Sequence, residues 1–193
     1  MTLDRKNRQV RSIEAGFKTR DAEGGPVIEG YFAVFNSDYG IWPGAVEQVA
    51  PGAFQNSLGG DVRALADHDT RIVLGRTAAG TLTLHEDDRG LFGSIKINPE
   101  DQEAMNLYAR VQRGDVTQCS FGFDIVDEEY AQRPDGSELW TIRDVVLYEV
   151  SVVTFPAYAE TSVQARKNDI KTIRSRQLAA RKSALKERIA KWH

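Results

Sequence analysis

Apolar and polar residues alternate in short runs along most of the chain, which is the pattern of β-strands with one buried face. Two of these runs, RQVRSIEAGF and VIEGYFAVFN, contain β-branched and aromatic residues and are predicted strands. The segment RIVLGRTAAGTLTLHEDDRGLFGSIKI contains three apolar runs separated by turn sequences, which predicts an antiparallel meander. QCSFGFDIVDEEY and LWTIRDVVLYEVSVVTF are further predicted strands, joined by the turn RPDGSE.

One segment, PEDQEAMNLYARVQRG, has the spacing of a helix instead of a strand. Acidic residues fill its first turn, and Gly114 follows its last periodic residue, as is common at helix ends. The apolar residues of its predicted buried face are Ala104, Leu107, Tyr108 and Val111. The Pro-Gly pair of APGAFQNSL predicts a turn into a second, short helix. Many short antiparallel strands with one or two helices predict a mostly β (α+β) fold, either a barrel or a sandwich.

Basic residues are concentrated near the end of the sequence. The chain of 193 residues is 41% hydrophobic and 27% charged, with a net charge of −3, which is ordinary for a soluble globular protein. Residues 163–193 hold ten basic and two acidic side chains, so this segment carries a charge of +8 and residues 1–162 carry −11. We therefore divide the chain into a body, residues 1–162, and a basic tail, residues 163–193. The tail is rich in Ala, Lys, Arg and Leu, and we expect a helix that stays partly disordered without a partner.

The sequence also argues against several classes of protein. It contains no run of about 18 apolar residues, so we expect no transmembrane helix. The N-terminal residues lack the apolar segment of a secretory signal. Cys119 is the only cysteine, which rules out an internal disulfide framework and a cysteine-rich zinc site and fits a reducing cytoplasm.

Two candidate nucleophiles, Cys119 and Ser120, stand side by side in the predicted strand QCSFGFDI. Side chains alternate across a strand, so the two residues face opposite ways. Cys119 shares its face with three large apolar residues and is predicted to be a buried, unreactive thiol. Ser120 shares the other face with Gly122 and Asp124 and is predicted to point outward. An ordinary outward-facing serine is the commoner interpretation of this pattern, but if either residue is a nucleophile, it is Ser120.

A serine nucleophile needs a base within hydrogen-bonding reach, most often a histidine. The chain has three histidines: His68 in Asp-His-Asp, His85 at the end of a predicted strand, and His193. His68 follows the apolar run of VRALADHDT, where a solvated turn histidine is the more common interpretation. The sequence pattern alone therefore leaves both interpretations of His68 open.

A carboxylate usually completes such a triad, because it holds the histidine ring and stabilises its cation. Glu149 lies within the nearly continuous apolar strand LYEVSVVTF, where an unpaired buried charge would be costly. The residue therefore has a specific partner or lies on a solvated face, and the sequence leaves both open. Asp67 and Asp69 flank His68, but strand geometry predicts that their side chains point away from its ring.

Seven segments occur in an order and at spacings that resemble the prohead (capsid maturation) proteases of tailed bacteriophages and of similar particles. They are GYFAVFN, APGAFQNSL, VRALADHD, VLGR, LTLHEDDRGLFGSIKI, QCSFGFDI and LYEVSVVTFPAYAET. The resemblance extends over residues 10–162 and implies a serine endopeptidase with His68, Ser120 and Glu149 as its catalytic residues, and without a metal or cofactor. It implies the fold of the herpesvirus capsid maturation proteases, an antiparallel β-barrel surrounded by helices. Those enzymes use a second histidine as the third member of the catalytic triad. His85 is the only candidate for that role here, and its position at the end of a predicted strand makes it less suitable than Glu149.

The resemblance also implies where and on what the protein acts. We expect it to cleave scaffold segments, capsid-protein extensions and itself inside the immature procapsid, in the cytoplasm of a bacterial host. Since Ser120 is predicted to face outward, we expect a shallow groove that binds an extended peptide, for instance by strand addition. We expect the basic tail to dock on an acidic helix of a scaffold or capsid protein. Nucleic acid ranks lower as a partner because the tail lacks interleaved aromatic residues, and the oligomeric state stays open, with a homodimer as one option.

Two other classes of protein remain open at this point. A scaffold or structural protein of the capsid would keep the fold without the chemistry, although all three candidate catalytic residues are present. A metal-dependent hydrolase would use His68 and His85 with neighbouring carboxylates, but no HExxH or comparable ligand spacing occurs. Activity in the presence of a chelator separates this last class from a serine protease.

Overall fold

The computed structural model describes residues 9–22 and 25–155, and most of its elements are β-strands. In chain order, the strands are β1 (Gln9–Glu14), β2 (Lys18–Ala22), β3 (Gly25–Val34), β4 (Tyr39–Trp42), β5 (Ala45–Val49), β6 (Arg63–Ala66), β7 (Asp69–Arg76), β8 (Leu82–Glu86), β9 (Gly90–Lys96), β10 (Gln118–Gln132) and β11 (Glu138–Val153). Within the described residues there is one α-helix, α1 (Gln102–Arg113), and one short 3-10 helix (Thr77–Ala79). The predicted mostly β fold is therefore confirmed. The predicted basic tail and its boundary lie outside the described residues.

The larger sheet is built around a long antiparallel hairpin of β10 and β11. β1 pairs antiparallel with the free edge of β10. The other edge of β11 pairs in parallel with two strands, first with β5 and then with β6. β4 and β7 extend the sheet beyond β5 and β6, respectively, and the smaller sheet is antiparallel in the order β2-β3-β9-β8. β10 is therefore an inner strand with a hydrogen-bonded neighbour on each side.

Buried apolar residues from both sheets and from α1 form one hydrophobic cluster. The apolar face of β10 lies in this cluster, where the ring of Phe121 contacts those of Phe54 and Phe123 at centroid distances of 5.4 and 4.8 Å. Aromatic side chains of this size contribute strongly to a core. The cluster therefore fixes the orientation of β10 and leaves only its opposite face for chemistry.

α1 has the buried face and the end that its sequence predicts, but it begins at Gln102, a few residues after the predicted start at Pro99. The side chain of Asp101 accepts hydrogen bonds from the backbone N–H groups of Glu103 and Ala104, which caps the first turn. Gly114 ends the helix with a left-handed φ of 88°. The buried residues of α1 are the four predicted ones, Ala104, Leu107, Tyr108 and Val111. Neither α1 nor any other helix in the described part of the chain is long and apolar enough to cross a membrane.

Two predictions about local structure are wrong. Residues 51–59 form successive turns instead of a short helix, because most of their backbone hydrogen bonds span three residues, such as the one from the Ser57 N–H to the Phe54 oxygen. The predicted meander is broken after its first strand: β8 and β9 pair with each other, whereas β7 pairs with β6 in the larger sheet. The 3-10 helix Thr77–Ala79 carries the chain from one sheet to the other.

The predicted closed barrel surrounded by helices is not found in the described residues, where the two sheets stay open and α1 is the single α-helix. A buried ion pair instead joins two parts of the larger sheet. Arg11 of β1 donates from Nε to Oε1 (2.5 Å) and from Nη2 to Oε2 (3.1 Å) of Glu47 in β5, although β10 and β11 separate these strands in the hydrogen-bonding order. Breaking a buried pair of this kind typically costs about 3–5 kcal/mol. The pair therefore holds β1, and the backbone beside Ser120, firmly in place.

Candidate active site

Two short motifs face each other on the paired strands β10 and β11. In their antiparallel register, Ser120 lies opposite Ser151, and Gly122 lies opposite Glu149. Because side chains alternate along both strands, these four residues share the face of the sheet that points away from Phe121 and the core. A register shift directly after Gly122 marks a β-bulge beside this group. The Ser-Phe-Gly of one strand thus meets the Glu-Val-Ser of the other.

His68 reaches this group from the turn between β6 and β7. β6 pairs in parallel with the part of β11 that contains Glu149 and Ser151, so the turn follows directly after that pairing. Asp67 and His68 are the two residues of the turn and have left-handed φ values of 47° and 61°. Such values are uncommon outside glycine and carry a cost in free energy, but tight two-residue hairpins require them. The turn therefore places the His68 ring at the expense of backbone strain.

The carboxyl group of Glu149 links His68 to Ser151. Nδ1 of His68 is 2.8 Å from Oε1 of Glu149, and the Ser151 hydroxyl donates to Oε2 over 2.5 Å. A carboxylate only accepts hydrogen bonds, so this contact assigns the ring proton to Nδ1 and leaves a free lone pair on Nε2. Nε2 is buried and has no hydrogen-bond partner among the described residues. An imidazole held in this way by a carboxylate is suited to act as a general base through its other nitrogen.

Gly122 provides the space that the Glu149 carboxyl group occupies. A Cβ atom at position 122 would lie 2.3 Å from Oε1 of Glu149, far inside van der Waals contact. The sequence predicts open space beside Ser120 at this glycine, whereas in the structure the carboxyl group of the neighbouring strand fills it. The Glu149 carboxyl group can therefore take this position only because residue 122 has no side chain.

Ser120 lies in the same row but is not hydrogen-bonded to the histidine in this structure. Its side chain has no exposed surface, and Oγ donates to the backbone carbonyl oxygen of Arg11 over 2.9 Å. The prediction that Ser120 and Cys119 face opposite ways is confirmed, but the prediction of an exposed serine in a shallow groove is wrong. β10 is an inner strand, so Ser120 lies between Ser12 of β1 and Ser151 of β11, and its hydroxyl is bonded within the sheet.

The sequence profile of the caudovirus prohead serine proteases matches residues 13–176, a range that contains the whole group from His68 to Ser151. The chain belongs to this family. The prohead protease of Enterobacteria phage HK97 is 34% identical over 157 residues, which are 77% of this chain and 64% of that protein, so the chain spans less than two thirds of its relative. Among solved structures, the capsid assembly protease of bacteriophage T4 aligns with a TM-score of 0.49 and 12% identity, covering 78% of this chain and 100% of the T4 chain.

In this member of the prohead protease family, the two aspartates beside His68 have partners elsewhere. Asp67 accepts hydrogen bonds from the backbone N–H and the hydroxyl of Thr154, at 2.7 and 3.1 Å. Asp69 accepts hydrogen bonds from Arg71, which lower the pKa of its carboxyl group to about 2. Glu149 is therefore the carboxylate bound to the ring, and Asp67 ties the histidine turn to the chain beyond β11.

Cys119 is fully buried, and its Sγ lies 3.1 Å from the carbonyl oxygen of Tyr31. Burial raises the pKa of this thiol, so the nucleophilic thiolate is scarce in the folded protein. We expect no adduct when the folded protein is treated with iodoacetamide at about pH 8, close to the pKa of a free thiol, and one adduct after unfolding in guanidinium chloride. Intact-mass spectrometry measures both states. Rapid alkylation of the folded protein would contradict the buried position.

His85 lies away from this group, on β8 of the smaller sheet, with its ring centroid 5.2 Å from that of Phe92. In the described ranges, no group of three or more His, Cys, Asp or Glu side chains is arranged to hold a metal ion. The residues that the metal-dependent alternative requires, His68 and His85, therefore do not form one ligand set there. His193 lies outside the described residues.

Ser151 is the residue of this group that sequence analysis missed. A signal for it was present, because Ser151 stands two positions after Glu149 and must share its face of the strand. Its position opposite Ser120, however, depends on the register of the hairpin. A bulge and a distant turn set that register, and the alternation of residues along one strand does not reveal it.

Proposed function

We propose that the chain is a serine endopeptidase of prohead maturation, with Ser120 as nucleophile, His68 as general base and Glu149 as the residue that orients the base. The observation that carries this proposal is the contact between Nδ1 of His68 and Glu149, which leaves a buried, unpartnered Nε2 as proton acceptor. Membership in the family of prohead serine proteases supports the reaction class.

The proposed reaction begins with rotation of the Ser120 side chain, because its hydroxyl is bonded to the Arg11 carbonyl oxygen in this structure. In the new rotamer the hydroxyl passes its proton to Nε2 of His68 while Oγ attacks the carbonyl carbon of the scissile peptide. The imidazolium, stabilised by Glu149, then gives the proton to the leaving amine. Water, activated by His68, hydrolyses the acyl-enzyme and restores Ser120. These steps need no metal or cofactor.

Two buried serines lie opposite each other, and their hydrogen bonds favour Ser120 as the nucleophile. The Ser151 proton is directed to the Glu149 carboxyl group over 2.5 Å. Hydrogen bonds to a carboxylate are roughly twice as strong as those between neutral groups. Ser120 donates instead to a neutral backbone carbonyl, so its hydroxyl is more easily released to the histidine.

The structure corresponds to a closed resting state in this proposal. Ser120 has no exposed surface, so a peptide carbonyl has no path to its Oγ until the surroundings of the site open. The ion pair between Arg11 and Glu47 holds β1 in place, so the Ser120 hydroxyl leaves the Arg11 carbonyl oxygen by rotation of its own side chain. We infer that substrate binding, or assembly of the procapsid, opens the site and frees the Ser120 side chain.

The proposed substrates are scaffold segments and extensions of the major capsid protein, inside the procapsid in the cytoplasm of the bacterial host. The similar protein of phage HK97 is named a prohead protease, which supports this place of action. Flexible, extended segments are suitable because exposed flexible chain is where proteolysis concentrates. Self-cleavage and docking through the basic tail (residues 163–193) remain predictions from the sequence, and the oligomeric state stays open, with a homodimer as one option.

Co-expression of the full chain with the capsid and scaffold proteins of the same phage tests this proposal. We expect capsid or scaffold chains shortened at defined bonds, measured by intact-mass spectrometry. Trimming should continue in the presence of a metal chelator and stop when a serine-directed fluorophosphonate is present during assembly. Inhibition by the chelator would favour the metal-dependent alternative. Full-length chains in assembled proheads would favour the structural alternative.

A further inference from the structure

We propose that Ser151 is a positioning residue of the protease, which acts on His68 by holding the carboxyl group of Glu149. This inference rests on the proposed function, in which Glu149 orients His68. Its basis is a continuous chain of hydrogen bonds: the Ser151 hydroxyl donates to Oε2 over 2.5 Å, and Oε1 is 2.8 Å from Nδ1 of His68.

The carboxyl group of a glutamate needs such support because several rotatable bonds connect it to the backbone. The contact with His68 engages only one of its oxygens, so by itself it leaves the carboxyl plane free to turn. Ser151 engages the second oxygen, and the backbone at Gly122 lies close against the first. Together these contacts fix the carboxyl plane of Glu149, and with it the direction of the His68 ring.

The burial of this group makes the Ser151 hydroxyl important. Glu149 is 4% exposed and Ser151 is fully buried. A buried carboxylate that loses a hydrogen-bond donor is strongly disfavoured, and its side chain is drawn towards water. Without the Ser151 hydroxyl, we therefore expect Glu149 to shift from the position in which it accepts from Nδ1 of His68.

Threonine and valine at position 151 isolate the effect of the hydroxyl, because the two side chains have nearly the same shape and differ in that group. We expect Ser151→Val to trim the capsid protein on the order of 10- to 100-fold more slowly than Ser151→Thr, as is typical when a residue that supports a functional group is lost. The initial rate of trimming is followed by intact-mass spectrometry, with the full chain in co-assembled proheads.

The Ser151→Thr and Ser151→Val substitutions, repeated in a Glu149→Ala chain, test whether Ser151 acts through Glu149. We expect the difference between threonine and valine to disappear there, because the hydroxyl no longer has a side-chain acceptor at position 149. Equal rates for Ser151→Thr and Ser151→Val in the otherwise unchanged chain would overturn the proposal. A difference of the same size in the Glu149→Ala chain would also overturn it.

Ser57→Ala is the matched control for a general loss of stability in β11. Ser57 is also buried and also bonded to β11: its hydroxyl donates to the carbonyl oxygen of Val145 (2.6 Å) and accepts from the N–H of Leu147 (2.9 Å). We expect Ser57→Ala to lower the melting temperature and leave the trimming rate unchanged. A loss of trimming equal to that of Ser151→Val would overturn the proposal, because weakening β11 alone would then explain both.

A spectroscopic measurement keeps the test independent of cleavage. A histidine N–H bonded to a carboxylate gives a far-downfield proton resonance, which we expect from Nδ1 of His68. This resonance should move or broaden in Ser151→Val and stay in place in Ser57→Ala, whereas an unchanged resonance in Ser151→Val would overturn the proposal. A failure of the proposed function gives a different result: Ser120→Ala would then trim as fast as the unchanged chain.

Discussion

Replacing Ser120 with alanine is expected to abolish trimming of the capsid protein, with a loss of rate of about 10⁴-fold or more. The substitution removes the proposed nucleophile and one hydrogen bond, to the Arg11 carbonyl oxygen, and it leaves the apolar face of β10 unchanged. The chain should therefore keep its fold. Intact-mass spectrometry of co-expressed capsid protein measures the trimming, and the melting temperature reports the fold.

Cys119→Ala is the matched control, because Cys119 is the neighbour of Ser120 on the same strand and is equally buried. Its side chain lies in the core, so we expect a lower melting temperature and continued trimming. If Cys119→Ala abolished trimming and Ser120→Ala did not, the roles of the two faces of β10 would be reversed. If Ser120→Ala trimmed normally and Ser151→Ala did not trim at all, the nucleophile would be Ser151.

Replacing Gly122 with alanine is expected to slow trimming by about 10²-fold, the typical cost of displacing a catalytic group by about 1 Å. The added Cβ atom would lie 2.3 Å from Oε1 of Glu149, so the carboxyl group must move. His68 would move with it or lose its hydrogen-bond partner. We expect this large effect on the rate although a single methyl group is added and no polar group is removed.

Gly40→Ala is the control for the loss of a strand glycine. Gly40 lies in β4, where an added Cβ would meet no atom within 4 Å, so we expect an unchanged rate and an unchanged or slightly higher melting temperature. The trimming rates and melting temperatures of both variants are measured side by side. A Gly122→Ala chain that trims at the unchanged rate would argue against a role for the Glu149 carboxyl group.

The parts of the fold that depend on neighbours along the chain could be predicted from the sequence. The alternation in β10 predicts which way Cys119 and Ser120 face, since it depends only on strand geometry. The spacing of apolar residues predicts α1 and its buried face, and Gly114 marks the end of the helix. These signals are local, so the sequence alone contains them.

The parts that depend on distant segments could not be predicted. The pairing of β1 with β10 and of β6 with β11 joins segments that are far apart along the chain, and no local pattern indicates it. His68, Ser120 and Glu149 became candidates together only through a family resemblance, because each has a more ordinary interpretation by itself. The contact between His68 and Glu149 needed the turn at Asp67, whose left-handed φ no sequence pattern indicated.

The proposed site consists of a hairpin part, whose residues are close along the chain, and His68, which comes from a distant segment. We expect the two parts to form at different stages of folding. Ser120, Gly122, Glu149 and Ser151 belong to one hairpin and come together when that hairpin closes. His68 is 81 residues from Glu149 and is delivered by the parallel pairing of β6 with β11. Long-range parallel pairings form slowly, because the chain loses the entropy of loop closure before their contacts stabilise it. We therefore expect a newly made chain to carry Ser120 without its proposed base until β6 has paired with β11, so that the proposed cleavage activity follows folding and does not precede it.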